Sequence, residues 1–405
     1  MPLPEALRTF ELTRPPADFI DDPYPYYALL REHDPAHALE GGGVLLTRYE
    51  DALTVYRDAR ASSDKTIEFR PKFGDSPLYE HHTTSLVFND PPLHTRVRRL
   101  IMGALNQRAI ARMEDDVTRL VDGLLGEIAQ RRETDLIDAF AARIPVEVIG
   151  NLLEVPHAER GPLRAWSLAI LSALEPAPRS EILDRGNRAV GDFLEYLRLL
   201  VADRRKRPGN PESDVLTRLI EGERVGERLT EKELYHNCIF MLNAGHETTT
   251  NLIGNGMWLL LSNPDQMARL RGQPALVNSA IEEMLRYEGP IQLNNRRLVA
   301  PIDLAGKALA AGTFITIAIG AANRDPSQFA EPERFDVARN PNRHVAFGQG
   351  AHACAGMNVA RMEARIAFTR LFSRFTGIES GGPPVRDRRI RFRGFRSLPL
   401  QFRAN

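Results

Sequence analysis

The residues able to do chemistry gather first around one cysteine. In Phe347-Gly348-Gln349-Gly350-Ala351-His352-Ala353-Cys354-Ala355-Gly356, three glycines surround Cys354. Only glycine takes positive φ without steric cost, so this backbone turns tightly and comes close to something flat or bulky. The helical pattern Met357 to Phe375 follows at once, and the free N–H groups of a helix start favour thiolate over thiol. The second cysteine, Cys238, is far away in sequence, so no local zinc-type spacing exists. A lone soft anionic sulfur suits the axial position of a haem iron.

A second concentration lies in Ala244-Gly245-His246-Glu247-Thr248-Thr249-Thr250-Asn251, inside the apolar helical pattern Leu234 to Leu261. A polar run in a helix that crosses the interior is expensive unless it faces water or a ligand. Gly245 removes bulk, and a threonine hydroxyl bonded to a preceding carbonyl bends a helix, so a local widening for a small molecule is expected. Glu283 and Arg286, three apart on the next helix, stand within salt-bridge reach.

The cysteine stretch resembles the haem-binding loop of the cytochromes P450, Phe-Gly-x-Gly-x-His/Arg-x-Cys-x-Gly, at every fixed position, Phe347, Gly348 and Gly356 included. Glu247 and Thr248 match the family's acid-alcohol pair in its oxygen-activating motif, and Glu283 with Arg286 its Glu-x-x-Arg motif. By the same resemblance Arg334, in Glu331-Pro332-Glu333-Arg334-Phe335, completes a buried triad. The haem propionates are expected at His94, Arg98, Arg296 and His352, with Arg296 taken over Arg297 by counting back from Gly306. The substrate pocket is expected to draw on the Ser62 to Asn89 loop and on Phe240, Asn243, Ala244, Ile291, Gln292, Leu293 and Phe395. Asn243 and Gln292 are polar among apolar neighbours, which points to a substrate with one polar handle.

The elements that must position these groups are mostly helical. Helical spacing runs over Pro25 to Arg31, from Pro92 onward, Ala109 to Arg131, Asp135 to Leu153, Pro162 to Leu174, Glu181 to Arg205, Leu234 to Leu261 and Pro274 to Tyr287. Pro176-Ala177-Pro178 breaks the series where opening and closing motion is expected, and Asn263-Pro264 reads as an N-cap and first helical residue. Short strands are expected at Gly43 to Thr47, Arg297 to Ala300, Lys307 to Leu309, Thr313 to Ala318 and Leu398 to Phe402. Ser62 to Asn89 lacks periodicity and reads as a long loop. His81 and His82 within it read as solvated. The fold class is mainly α with small β-sheets (α+β). The resemblance implies the cytochrome P450 fold, a helix-rich prism enclosing haem, as one domain over residues 1–405.

The 53 Lys and Arg balance the 53 Asp and Glu, so no global field attracts nucleic acid or an anionic membrane. No apolar run reaches spanning length or forms a signal in Met1 to Ile20, and a cytoplasmic protein is expected. The resemblance implies a haem-thiolate monooxygenase, carrying haem b and acting as a monomer, that inserts one atom of O2 into a small, largely apolar molecule by hydroxylation or oxidative dealkylation. The chain has no nicotinamide or flavin fingerprint and no cysteine cluster for iron–sulfur. Electrons must therefore come from outside; the resemblance implies a ferredoxin, fed by an NAD(P)H-dependent ferredoxin reductase, that would dock on a patch of Arg96, Arg99 and Arg112. The rival classes are a haem-binding sensor or electron carrier, a peroxide-driven peroxygenase, and a cysteine enzyme without haem.

Overall fold

The helix Glu231–Ser262 is the axis on which the fold is assembled. Its start is fixed by Thr230, whose hydroxyl accepts from the Glu233 amide while the Glu233 carboxylate accepts from the Thr230 amide; two free donors of the helix start are satisfied at once. At about 1.5 Å per residue it is long enough to cross the interior, and its buried positions lie on all sides, as a through-running helix requires. The structure, a computed structural model, describes residues 5–211, 214–222 and 229–404, so the first four residues of the N-terminal stretch lie outside the described residues.

Helices Arg143–Leu152, Leu163–Ser172, Ser180–Lys206 and Met357–Arg374 pack against this axis. They share one apolar core with Gln107–Arg131 and Val277–Tyr287. Beside that core stands a five-stranded sheet in the order Ala36–Leu39, Gly43–Leu46, Phe314–Ala318, Leu293–Leu298, Ala61–Ser62. Gly43–Leu46 and Phe314–Ala318 run parallel, and the other pairs antiparallel. The architecture is helical with small sheets, as the spacing predicts. Among the described residues no helix is long and apolar enough to cross a membrane.

Four local expectations give way, one of them in part. Ser62 to Asn89 is not a loop: it forms the helices Thr66–Phe73 and Pro77–Thr84 and a 3-10 turn Leu86–Phe88. The second helix buries Leu78, His81, His82 and Thr84, so its inner face is largely polar and apolar periodicity has nothing to register. His81 and His82, expected in solvent, are each 2% exposed and lie beside His236 of the axial helix; burial pushes both pKa values down. Asn263 stands at the N-cap position with Pro264 opening the helix, as expected, but its side chain does not cap that helix. Its side-chain amide donates to the Leu259 carbonyl at 2.8 Å and so closes the preceding helix. The strand expected at Arg297 to Ala300 lies earlier, at Leu293–Leu298, because its pairing is set by Phe314–Ala318.

Candidate functional site

The turn before the helix Met357–Arg374 presents Cys354. Gly348 and Gly350 take φ of 65° and 70°, and a side chain at Gly350 would bring its Cβ to 2.5 Å from the Tyr56 carbonyl oxygen. The Cys354 amide donates to the Phe347 carbonyl at 2.8 Å, which closes the loop under the sulfur. The thiolate expected from the helix end alone does not follow from the chain. Burial pushes the thiol pKa up, against the Gly356 amide and the Arg98 and Arg361 guanidiniums that pull it down. Desolvation wins until a cationic centre stands beside the sulfur.

Four basic groups gather on the same side. His94 is 2% exposed and neither ring nitrogen has a partner; its ring lies 3.9 Å from that of His352. Burial first, then His94, Arg296 and Arg98, hold the His352 pKa down to about 3. Arg296 is on the buried face of its strand, 6% exposed, and its guanidinium lies over the Tyr56 ring. Among the described residues no acidic side chain forms an ion pair with Arg98 or Arg296. Asp90 acts on His94 and Arg296 from beyond ion-pair distance, so this partly buried basic cluster is short of counter-charge, which is unfavourable alone and fits a dianionic edge such as two propionates. Sequence reasoning missed two members: Lys65, 2% exposed, paired with Glu68 at 2.7 Å and close enough to act on His352, and Tyr56. Both sit in segments without a motif.

On the axial helix Ala244 is exposed and Thr248 and Gly245 half-buried, although Asn243, His246, Glu247 and Thr249 are buried. Ala244 and Thr248, four apart, share one face of the helix. The Thr248 hydroxyl donates to the Ala244 carbonyl at 2.8 Å. Gly245 makes no widening: a Cβ there would stand 2.4 Å from Ile149 Cδ1, so it admits the Arg143–Leu152 helix. Glu247 is 2% exposed and in ion-pair contact with Arg389. Below it Glu363, from Met357–Arg374, is 1% exposed, and burial pushes its pKa up to about 8 against a hydrogen bond with Thr249. A lone acid in an apolar helix pattern gave no signal for it.

The remaining pocket positions divide. Phe240 is half-buried, and Asn243 is 2% exposed with neither amide atom hydrogen-bonded. Ile291 bridges to Phe392. The Gln292 carboxamide is used elsewhere: its Nε2 donates to the Gly289 carbonyl at 2.9 Å and its Oε1 occupies the space a Gly320 side chain would need. Leu293 belongs to the N-terminal apolar cluster with Phe19 and Tyr27. Phe395 packs on Trp258, near the far end of the axial helix.

The triad needs a correction. Arg286 donates to both Glu283 oxygens at 2.7 and 2.8 Å, and both side chains are fully buried. Arg334 lends only its carbonyl, while its side chain is 56% exposed and pairs with Glu331. The second arginine on Glu283 is Arg339, at 3.1 Å. Arg334 follows Pro332 and points outward; the chain must turn back over Asp336 before an arginine faces inward.

A family model described as Cytochrome P450 matches residues 168–390. Cytochrome P450 107B1 of Saccharopolyspora erythraea is 37% identical over 95% of this chain and 96% of its own. The cytochrome P450 monooxygenase PikC of Streptomyces venezuelae is also 37% identical, over 95% and 92%. Among solved structures, P450BioI in complex with an acyl carrier protein ligated to hexadec-9Z-enoic acid superposes with a TM-score of 0.90, at 32% identity over 95% of this chain and 100% of that one. Likeness of this extent, in sequence and in fold alike, means that the chain belongs to the cytochrome P450 family of haem monooxygenases.

Proposed function

We propose that the chain binds haem b through Cys354 and hydroxylates or oxidatively dealkylates a small, largely apolar molecule. What supports this reading is that Arg98 acts both on the Cys354 sulfur and on His352 of the basic cluster, and that Ala244 and Thr248 are accessible on an otherwise mostly buried helix. Arg98, Arg296, His94 and His352 would hold the propionates, and Phe347, Gly348 and Gly356 would shape the turn against the macrocycle. When bound, haem supplies activation of dioxygen, with electron density from the sulfur favouring O–O cleavage. Glu247, once freed from Arg389, would take up and relay a proton that the Thr248 hydroxyl directs, while Phe240 and Ile291 keep bulk water out. Asn243, with both amide atoms unspent, is the polar handle; Gln292 is withdrawn from that role.

The test uses haem-loaded protein with NAD(P)H, a ferredoxin, its reductase and labelled dioxygen, on a substrate found by its spin-state shift. One labelled oxygen atom appears in the product. Thr248→Ala keeps consuming NAD(P)H but makes about 10²-fold less product per equivalent, the excess leaving as peroxide. Full coupling in Thr248→Ala, or unlabelled product, ends the reading.

For the electron donor we propose the surface on the Cys354 side. Arg96 is tied to Glu233 of the axial helix, and the proposal rests on Arg112, which is exposed. Arg112→Glu is expected to slow reduction by ferredoxin roughly severalfold at low salt, with the gap closing as salt screens the encounter. Equal rates at low salt would remove Arg112 from the docking surface.

A further inference from the structure

The face of the axial helix that carries Glu247 also carries Asn243, Asn251 and Asn255, each four residues from the next. This polar seam runs along residues 389–394. At Asn255 the seam is closed, its Nδ2 donating to the Glu288 and Arg393 carbonyls at 3.0 Å each. One turn on, Asn251 occupies the space beside Gly394, where a Cβ would stand 2.0 Å from Asn251 Oδ1. Another turn brings Glu247 to Arg389, both buried. Here the bonding is incomplete. The two charges touch, yet neither Glu247 oxygen makes a directed hydrogen bond, and Arg389 Nε and Nη1 have no partner. The nitrogen that meets Glu247 also lies 2.6 Å from Asp387 Oδ2. One guanidinium is thus shared between two carboxylates.

The neighbouring charges do not settle the competition. Glu175, from the turn after Leu163–Ser172, accepts from the Ile390 and Arg391 amides at 2.8 and 3.1 Å. Arg391 donates from Nε to the Leu174 carbonyl at 3.0 Å and from a guanidinium nitrogen to Asn295. Elsewhere on the axial helix His246 senses Arg164, and Thr249 meets Glu363. Glu247 and Asp387 face Arg389, Glu175 acts on both Arg389 and Arg391, Arg396 acts on Asp387, and Glu68 and Lys72 lie within reach of Arg391. Burial, then Glu175, pushes the Asp387 pKa up to about 6. Burial lowers that of Arg389 to about 10 against the pull of Glu175, so it stays cationic at neutral pH.

We propose that Arg389 is a positioning residue for Glu247: it holds the carboxylate against the C-terminal segment and frees it by passing to Asp387. This rests on reading Glu247 as the proton-donating acid. Thr248 stands about 100° further round the helix, so the acid held by Arg389 is turned from the hydroxyl it serves, and release makes it available. The same segment carries Phe392 against Ile291, which couples filling of the interior to the choice between the two acids.

The test compares haem-loaded wild type with Arg389→Gln, Glu247→Gln, their double variant and Arg389→Lys. Thermal unfolding is read without turnover; NAD(P)H-driven oxygen consumption is read with a ferredoxin and its reductase between about pH 6 and 8. Losses in Tm from the two glutamine substitutions are expected not to add, because either one ends the same pair. Removing the cation takes away what favours the Glu247 carboxylate, so Arg389→Gln acquires a pH dependence across that window, of about threefold or more, that wild type lacks. Wild type and Arg389→Lys share one profile, whose change at the acid end is that of Asp387. Additive Tm losses overturn the proposal, and so does an Arg389→Gln profile that superposes on wild type, even where the Tm losses do not add. If Arg389→Gln does not fold, Arg389→His replaces it: the imidazole loses its charge across the window, and a profile that superposes on wild type overturns the proposal equally. Failure of the parent reading is separate, since coupled product formation in Glu247→Gln then matches wild type whatever residue 389 is.

Discussion

Cys354→Ala abolishes the thiolate signature in the carbon-monoxide difference spectrum of the reduced protein and, with it, NAD(P)H-driven oxygenation. The effect is this large because nothing else in the chain can replace the sulfur. Cys238 is fully buried in the axial helix, and burial, then Asp214, pushes its pKa up to about 12. Among the described residues no cluster of three His, Cys, Asp or Glu offers another metal site. Cys238→Ala is the control, expected to keep the spectrum and the activity. Cys354→Ser shares the geometry of the turn but offers a hard oxygen that ionises far less readily, so the signature is lost there as well. A haem sensor or electron carrier would lose its spectrum in Cys354→Ala but would show no coupled oxygenation in wild type. A cysteine enzyme without haem would show no such spectrum at all. Wild-type spectrum and activity in Cys354→Ala would end the haem-thiolate reading.

What could be read in the chain followed how locally each feature is specified. The Cys354 turn is contiguous and needs its glycines at Gly348 and Gly350, so sequence alone identifies it, and the long helices announce themselves by periodicity. The polarity of the site is different. Whether Cys354 ionises depends on burial that the helix start does not reveal. Lys65, Tyr56, Glu363 and Arg389 reach the site from four separate segments, and each is an ordinary residue in its own neighbourhood. Gln292 fails for the converse reason: its sequence neighbours are apolar, yet the Gly289 carbonyl takes its Nε2 and its Oε1 lies against Gly320 with no hydrogen-bond partner. Short helices whose inner face is histidine and threonine, as in Pro77–Thr84, leave no apolar rhythm to detect.

Glu283→Gln is expected to destabilise the haem-loaded protein by about 3–5 kcal/mol, since it leaves buried guanidiniums without their counter-charge. Glu283 takes both donors of the Arg286 fork, the Arg339 Nε, the Asp336 amide at 3.0 Å and Asn342 Nδ2 at 3.1 Å. Arg286 in turn donates to the Asn323 and Pro332 carbonyls at 3.0 and 2.9 Å. One carboxylate therefore anchors the segment from Asn323 to Asn342 on the Val277–Tyr287 helix, and that segment leads directly into the Cys354 turn. Its loss should be felt as weakened haem retention as well as earlier unfolding. The two arginines separate the buried network from the surface pair. Arg339→Ala removes a nearly buried donor, 11% exposed, and is expected to cost about 1.5–3 kcal/mol, as for hydrogen bonds to a charged group. Arg334→Ala ends an exposed pair worth about 0–1 kcal/mol and leaves the carbonyl that Arg286 uses. Denaturant unfolding followed by tryptophan fluorescence and by the haem absorbance measures all three variants. If Arg334→Ala costs as much as Arg339→Ala, the network is not closed by Arg339. If Glu283→Gln costs less than either arginine variant, Glu283 is not its centre. Replacing Glu283 and Arg286 together with methionine gives the complementary result: with only Arg339 left to strand, the pair should cost less than Glu283→Gln alone, because the desolvation of both ions is recovered as their attraction is lost.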